Sequence, residues 1–200
     1  QAHRFLPFIV EELNQAGIQD ENIKIVMAIG CHRPLMKADQ EKKLGKKMAN
    51  RFPVYNHHPF ENVVNVGTTK RGTPVIINRH FVEADVKVGV GFITPHPIAA
   101  FGGGGKIVIP GMGSIETIHK NHTPAHQGKI GNTGFSKGYD INSNELRADI
   151  EEGARMAGLN AIVNSVGTTE GKTAGVFVGD LVQAHRAAVD CARTVYRTEA

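Results

Sequence analysis

Three stretches of this 200-residue chain hold the side chains best suited to chemistry. In two places a histidine directly follows a strand-like apolar run: His32 in Gly30-Cys31-His32-Arg33-Pro34, behind residues 22–29, and His96 in Thr94-Pro95-His96-Pro97, behind residues 85–93. In open α/β sheets ligands gather at the carboxyl ends of strands, so both imidazoles stand where a site is expected. Prolines on either side of His96 fix the backbone and aim the ring, and imidazole titrates close enough to neutrality to move protons. Either histidine alone is read more simply as a strand-end residue satisfied by local hydrogen bonds. Together with the glycines and lysine downstream of His96, they read as a site.

The second stretch is Phe101-Gly102-Gly103-Gly104-Gly105-Lys106, whose glycines let backbone amides converge on an anion or a flat ligand beside a lysine. It is not a phosphate loop: Ala100 stands where the first glycine belongs and Ile107 where the hydroxyl belongs. The dinucleotide fingerprint fails too, because Gly102 and Gly104 need a glycine at Ile107. A flexible turn without a ligand is the plain alternative. In the third stretch His119 and His122 lie three apart on a short predicted helix, which permits metal ligation from one face. No supporting Cys, His or carboxylate completes a zinc pattern, so a zinc hydrolase is the weakest reading. No serine-nucleophile elbow occurs, and Cys31 with His32 would point oppositely if the strand ran on through them, which argues against a serine hydrolase and a cysteine dyad.

The elements that must position these groups are legible in the apolar spacing. Helices are predicted over 5–16 (with Gly17 as its stop), 38–50, 114–121 (capped by Ser114), 144–158 and 180–197. Strands are predicted over 22–29, 62–66, 74–78, 85–93, 106–109, 160–166 and 175–178, the second and third joined as a hairpin. Residues 126–142, rich in glycine and polar side chains, read as a long surface loop or lid. Strands alternating with helices predict an α/β fold, a Rossmann-like three-layer sandwich with a mostly parallel sheet, forming one domain over 1–200.

Composition bounds the function. The chain is 40% hydrophobic and 21% charged and has no apolar run long enough to span a bilayer, so no membrane is expected. Cys31 and Cys191 fall in no paired pattern, which suits a reducing, cytoplasmic setting. The net charge of +4 is concentrated at Lys42, Lys43, Lys46 and Lys47, a solvated helix face; with 6% aromatic residues and no recognition motif, nucleic acid is not an expected partner.

The string PHPIAAFGGGGKIVIPGMGSIETIHKNH at 95–122 resembles the central signature of the nickel-pincer-dependent lactate racemases. IGCHRP at 29–34, VGTTKRGTPVIINRHFVEAD at 66–85 and GVFVGDLVQAH at 175–185 extend the similarity across the chain, as the N-terminal domain of that family. The resemblance implies a 2-hydroxyacid racemase or epimerase that interconverts stereoisomers by reversible hydride transfer through a 2-keto intermediate. It implies a nickel pincer nucleotide, a pyridinium-3-thioamide-5-thiocarboxylic acid mononucleotide, joined covalently to Lys106 and made by dedicated cofactor-synthesis enzymes. His122 of the Asn121-His122 pair would ligate nickel, His32 and His96 would be the two acid/base residues, and Gly102, Gly103, Gly104 and Gly105 would let the main chain approach the cofactor. The family often carries a serine and an arginine where this chain has Gly102 and Gly105. Its substrate-binding arginine would fall just before Gln1, and its second domain, which closes the site, is absent from this chain, so an isolated 1–200 domain is expected to be inactive. A non-catalytic nucleotide- or anion-binding module of the same fold is the alternative.

Overall fold

The apolar side chains of the opening residues recur at helical spacing, and helix α1 (Ala2–Gln15) buries Leu6 and Val10 before Gly17 ends it at φ 88°. The computed structural model describes residues 2–123 and 140–196. Strand β1 (Ile25–Met27) is shorter than its apolar run because a 3-10 turn, Asp20–Asn22, precedes it and Gly30 at φ 56° bends the chain after it. The helix expected over 38–50 is two: α2 (Lys37–Leu44) and α3 (Lys46–Arg51) meet at Gly45, whose φ of 82° is closed to most side chains. That break lets Leu44 and Met48 pack into the same core as Leu6, Val10 and Met27. Strand β2 (Val54–Asn56), too short to show periodicity in the sequence, pairs in parallel with β1.

The expected hairpin forms from β3 (Val63–Thr68) and β4 (Pro74–Asn78), and helix α4 (Arg79–Val82) comes directly after it. Next come β5 (Val88–Ile93) and the two-residue strands β6 (Pro95–His96) and β7 (Ala100–Phe101), which pair with each other. Residues 106–109 do not extend as a strand. Gly103 and Gly104 at φ 70° and 60° turn the chain into a 3-10 helix, Gly104–Ile107, and the Val108 and Ile109 amides close back on the Gly105 carbonyl. Helix α5 (Ile115–Asn121) starts where Ser114 accepts the Thr117 amide hydrogen. Helix α6 (Glu145–Met156), strands β8 (Ala161–Gly167) and β9 (Thr173–Gly179), and helix α7 (Gln183–Val195) complete the chain. The loop predicted over 126–142 lies, except for its last three residues, outside the described residues.

The α/β class expected from the sequence holds, and the strand pairings are mixed. β1 with β2 and β5 with β8 are parallel, as their helical crossovers allow, whereas β8 turns through a few residues into β9 and can only pair antiparallel. Apolar side chains gather in three clusters: one under α1 to α3, one between β4, α6 and the 3-10 segment, and one between β5, β8 and α7. Among the described residues no helix is long and apolar enough to cross a membrane. The first two clusters meet where Gly30 donates its amide hydrogen to the Gly111 carbonyl at 2.8 Å, docking the turn after β1 onto the segment after Lys106.

Candidate active site

A cleft of about 820 Å³ opens along this junction, and His32, His96, Lys106 and His122 all line it. Four separated segments bring them there. His32 sits on the turn held by Gly30, exposed, with its amide closing on the Ile29 carbonyl. His96 lies on β6, opposite Ala100 of β7, and Ala100 takes a left-handed φ of 59° to make so tight a return. Lys106 comes from the 3-10 turn. His122 closes the end of α5, which is seated on β4 by the Thr117 hydroxyl: it donates to the Pro74 carbonyl at 2.7 Å and accepts the Ile76 amide at 3.0 Å.

Hydrogen bonding sets the state of each ring. Nδ1 of His96 accepts the Ala99 amide hydrogen at 3.1 Å and that of Ile98 at 3.4 Å, so the proton of the neutral ring belongs on Nε2, which stands 3.4 Å from the Lys106 amine. Burial, then the nearby charge of Lys106, pushes His96 down to about 4, so the ring is neutral near pH 7. Burial, with the Arg147 charge behind it, brings the Lys106 ammonium down to about 8. Nδ1 of His122 donates to the Ile118 carbonyl at 3.1 Å, which fixes the tautomer that leaves the Nε2 lone pair free, and burial then Lys106 lower its affinity for a proton. That is the form of imidazole that binds a metal.

The glycine run does not line the cleft as the sequence suggests. A Cβ on Gly103 would come within 2.3 Å of Asn164 Oδ1, one on Gly104 within 2.7 Å of the His185 ring, and one on Gly105 within 3.1 Å of Ala154. The space these glycines leave is filled by the protein itself. They are required because the turn that carries Lys106 is packed against β8, α6 and α7.

Several residues that hold this turn escaped sequence reasoning. Arg147 of α6 is fully buried and donates to the carbonyls of Ala99 (3.2 Å), Phe101 and Gly103 (3.1 Å). Asn164 of β8 accepts the Gly104 amide hydrogen at 2.8 Å, and His185 Nε2 donates to the Gly102 carbonyl at 2.8 Å. On the other side, buried Asp149 accepts from Thr69 (2.5 Å), Thr73 (2.7 Å) and Asn121 (2.6 Å), tying the β3–β4 turn to the last residue of α5, next to His122. The readable signal was a charged or polar residue inside an apolar stripe: Arg147 beside Leu146 and Ile150, and Asn164 within Ala161-Ile162-Val163 and Val166.

His119 and His122 share the cleft with Glu116 and Cys31, but among the described residues no three His, Cys, Asp or Glu side chains gather as a metal site. A zinc centre built on protein ligands lacks its set. His122 offers one free imidazole nitrogen to the cleft, and Lys106 an amine that holds its proton less firmly than an ordinary lysine.

The family profile described as lactate racemase N-terminal domain matches residues 1–133. The chain belongs to that family. A lactate racemase of Lactiplantibacillus plantarum is 31% identical over 191 residues, covering 94% of this chain and 44% of that protein. A lactate racemase of Thermoanaerobacterium thermosaccharolyticum is 31% identical over 183 residues, covering 90% of this chain and 42% of that protein. The structure of the lactate racemase apoprotein from the latter organism superposes with a TM-score of 0.88 at 27% identity, over 97% of this chain and 46% of that one. A Thermotoga maritima crystal structure, at 22% identity and a TM-score of 0.76, shares the fold and covers 97% of this chain and 51% of its own. The chain thus spans about half the length of the relatives it matches.

Proposed function

We propose that this chain carries the anchored nickel pincer nucleotide and the proton-transfer groups of a 2-hydroxyacid racemase or epimerase. The observation that carries the reading is the convergence of His32, His96, Lys106 and His122, from four segments, on one cleft. Lys106 is the covalent anchor and His122 the nickel ligand; when bound, the group supplies a hydride acceptor and donor for the substrate α-carbon. His32 and His96 exchange the hydroxyl proton, each serving one hand of the substrate, because the planar 2-keto stage can be approached from either side.

A neutral His96 is the form able to take a proton, and its lowered affinity keeps it neutral above about pH 4. While Lys106 is a free amine, the Nε2 hydrogen of His96 faces the amine lone pair. Cofactor-synthesis enzymes and a domain that closes the cleft are the expected partners, and a cytoplasmic setting fits the free cysteines.

The test is an assay of interconversion on a panel of 2-hydroxy acids and sugar acids with full-length, cofactor-loaded protein. At least one substrate is expected to be interconverted. His32→Ala and His96→Ala should each lower turnover about 100- to 10,000-fold. Each should also spare formation of the 2-keto acid from a different enantiomer in a quenched single turnover. Equal loss from both enantiomers in both variants would remove the assignment of one histidine per hand.

A further inference from the structure

The residue that organises the Lys106 side of the cleft is Arg147, which no part of the proposed reaction uses. Its guanidinium lies wholly inside the protein, on α6, with both terminal nitrogens bonded to carbonyls of the segment that joins His96 to Lys106: Ala99, Phe101 and Gly103. A planar fork reaching three carbonyls holds a loop in one shape, which a point cation such as lysine cannot do. The amide of Arg147 is itself held by Asn144, whose side-chain nitrogen donates to the Ile98 carbonyl, so the same helix end grips the loop a fourth time. The consequence lies at His96: the amides of Ile98 and Ala99, inside the gripped segment, are the donors that fix its ring with Nε2 toward the lysine.

We infer that Arg147 is a positioning residue for Lys106: it holds residues 99–103 so that the amine meets His96 Nε2, and it sets its own buried guanidinium behind that amine. The inference rests on Lys106 being the attachment point, and it explains how the cofactor-free chain presents a lysine ready to bond to an acyl carbon. After burial, the charge of Arg147 is what loosens the proton of Lys106, and the carboxylate of Glu116 on α5 lines the same cleft. Arg147 stands behind it from α6, and Lys106 in turn depresses His96 on β6 and His122 at the end of α5. Arg147 keeps its own proton: burial lowers it only to about 10, opposed by the Glu151 carboxylate, which forms two bonds with Arg186.

Competitive labelling of the cofactor-free full chain with acetic anhydride from pH 6 to 10, read by peptide mass spectrometry, measures the Lys106 titration directly. Lys106 is expected to titrate near 8 in the wild type. In Arg147→Gln the midpoint rises by about one unit, with about tenfold less labelling at pH 7. Arg147→Lys, which keeps the charge, stays near the wild type. A wild-type midpoint at the ordinary lysine value, or one unmoved in Arg147→Gln, overturns the electrostatic part. Hydrogen exchange tests the geometric part, and does so even where Arg147→Gln fails to fold. In Arg147→Lys the Ile98 and Ala99 amides should exchange about tenfold faster while those of β8 stay protected, and unchanged protection at Ile98 and Ala99 overturns it. Neither measurement involves cofactor or substrate, so an unmodified Lys106 in cofactor-loaded protein would remove the attachment reading while leaving these outcomes to stand or fall alone.

Discussion

Burial and like charge act in the same direction on the side chains around Lys106, and the histidines buried behind it extend that pattern into the core. His185 is the plainest case: its ring is fully buried under the glycine turn, Nε2 donates to the Gly102 carbonyl, and Nδ1 accepts from Arg186 at 3.3 Å. Burial, then the charge of Arg147, takes it down to about 3. An unfolded histidine binds a proton near 6.5, so between 6.5 and about 3 the unfolded chain holds a proton the folded chain refuses, and stability falls with pH through that window. The loss from this one residue approaches about 1.4 kcal/mol per pH unit. Urea unfolding of wild type and His185→Asn at pH 7, 6 and 5 checks it. The variant is less stable at pH 7 but declines less steeply; parallel declines would mean that His185 accepts its proton without unfolding. His57, buried between the Gly113 carbonyl and Asn78, is lowered mainly by burial and adds in the same sense.

At the scale of elements, the turn over 102–107 shows what the sequence conveyed and what it hid. Its glycines and its lysine are evident in the string, but the reason for the glycines is not, because Asn164, Ile93, His185 and Ala154 reach them from β8, β5, α7 and α6. A run of glycines before a lysine reads as a cradle for a ligand when its neighbours are unknown. Gly103→Ala should cost about 3 kcal/mol or more, since the new Cβ meets Asn164 Oδ1 at 2.3 Å and Ile93 Cδ1 at 2.4 Å at a φ of 70°. Gly171→Ala, at φ 79° with open space around it, carries only the backbone cost of about 1 kcal/mol. Equal losses in thermal or urea unfolding would mean that the packing around Gly103 gives way. Elements that signal through local chemistry were legible: Ser114 before α5, Asn144 before α6, and the β3–β4 turn. The break at Gly45 was hidden because apolar spacing continues across it, and β2 was hidden because three residues carry no period.

Over the whole molecule, the cleft lies where separately packed clusters meet, with the Gly30–Gly111 bond bridging the two sides. His32 arrives from the unit under α1 to α3, while His96, Lys106 and His122 arrive from around α6, so the geometry of the site is set by how these cores dock. The four side chains were legible in the sequence as residue types after strands, after a glycine turn and at a helix end. Their meeting in one cleft was not, because it depends on contacts between residues far apart in the chain. Membership of the lactate racemase N-terminal domain family places the fold, and the chemistry proposed for it turns on Lys106. Mass spectrometry of the Lys106 peptide, from full-length protein produced together with the cofactor-synthesis enzymes, tests that chemistry most directly. The expected result is a covalent adduct with the mass of the pincer nucleotide on Lys106, lost in Lys106→Ala, with nickel retained by the wild type and released in His122→Ala. An unmodified Lys106 in a nickel-free protein would contradict it.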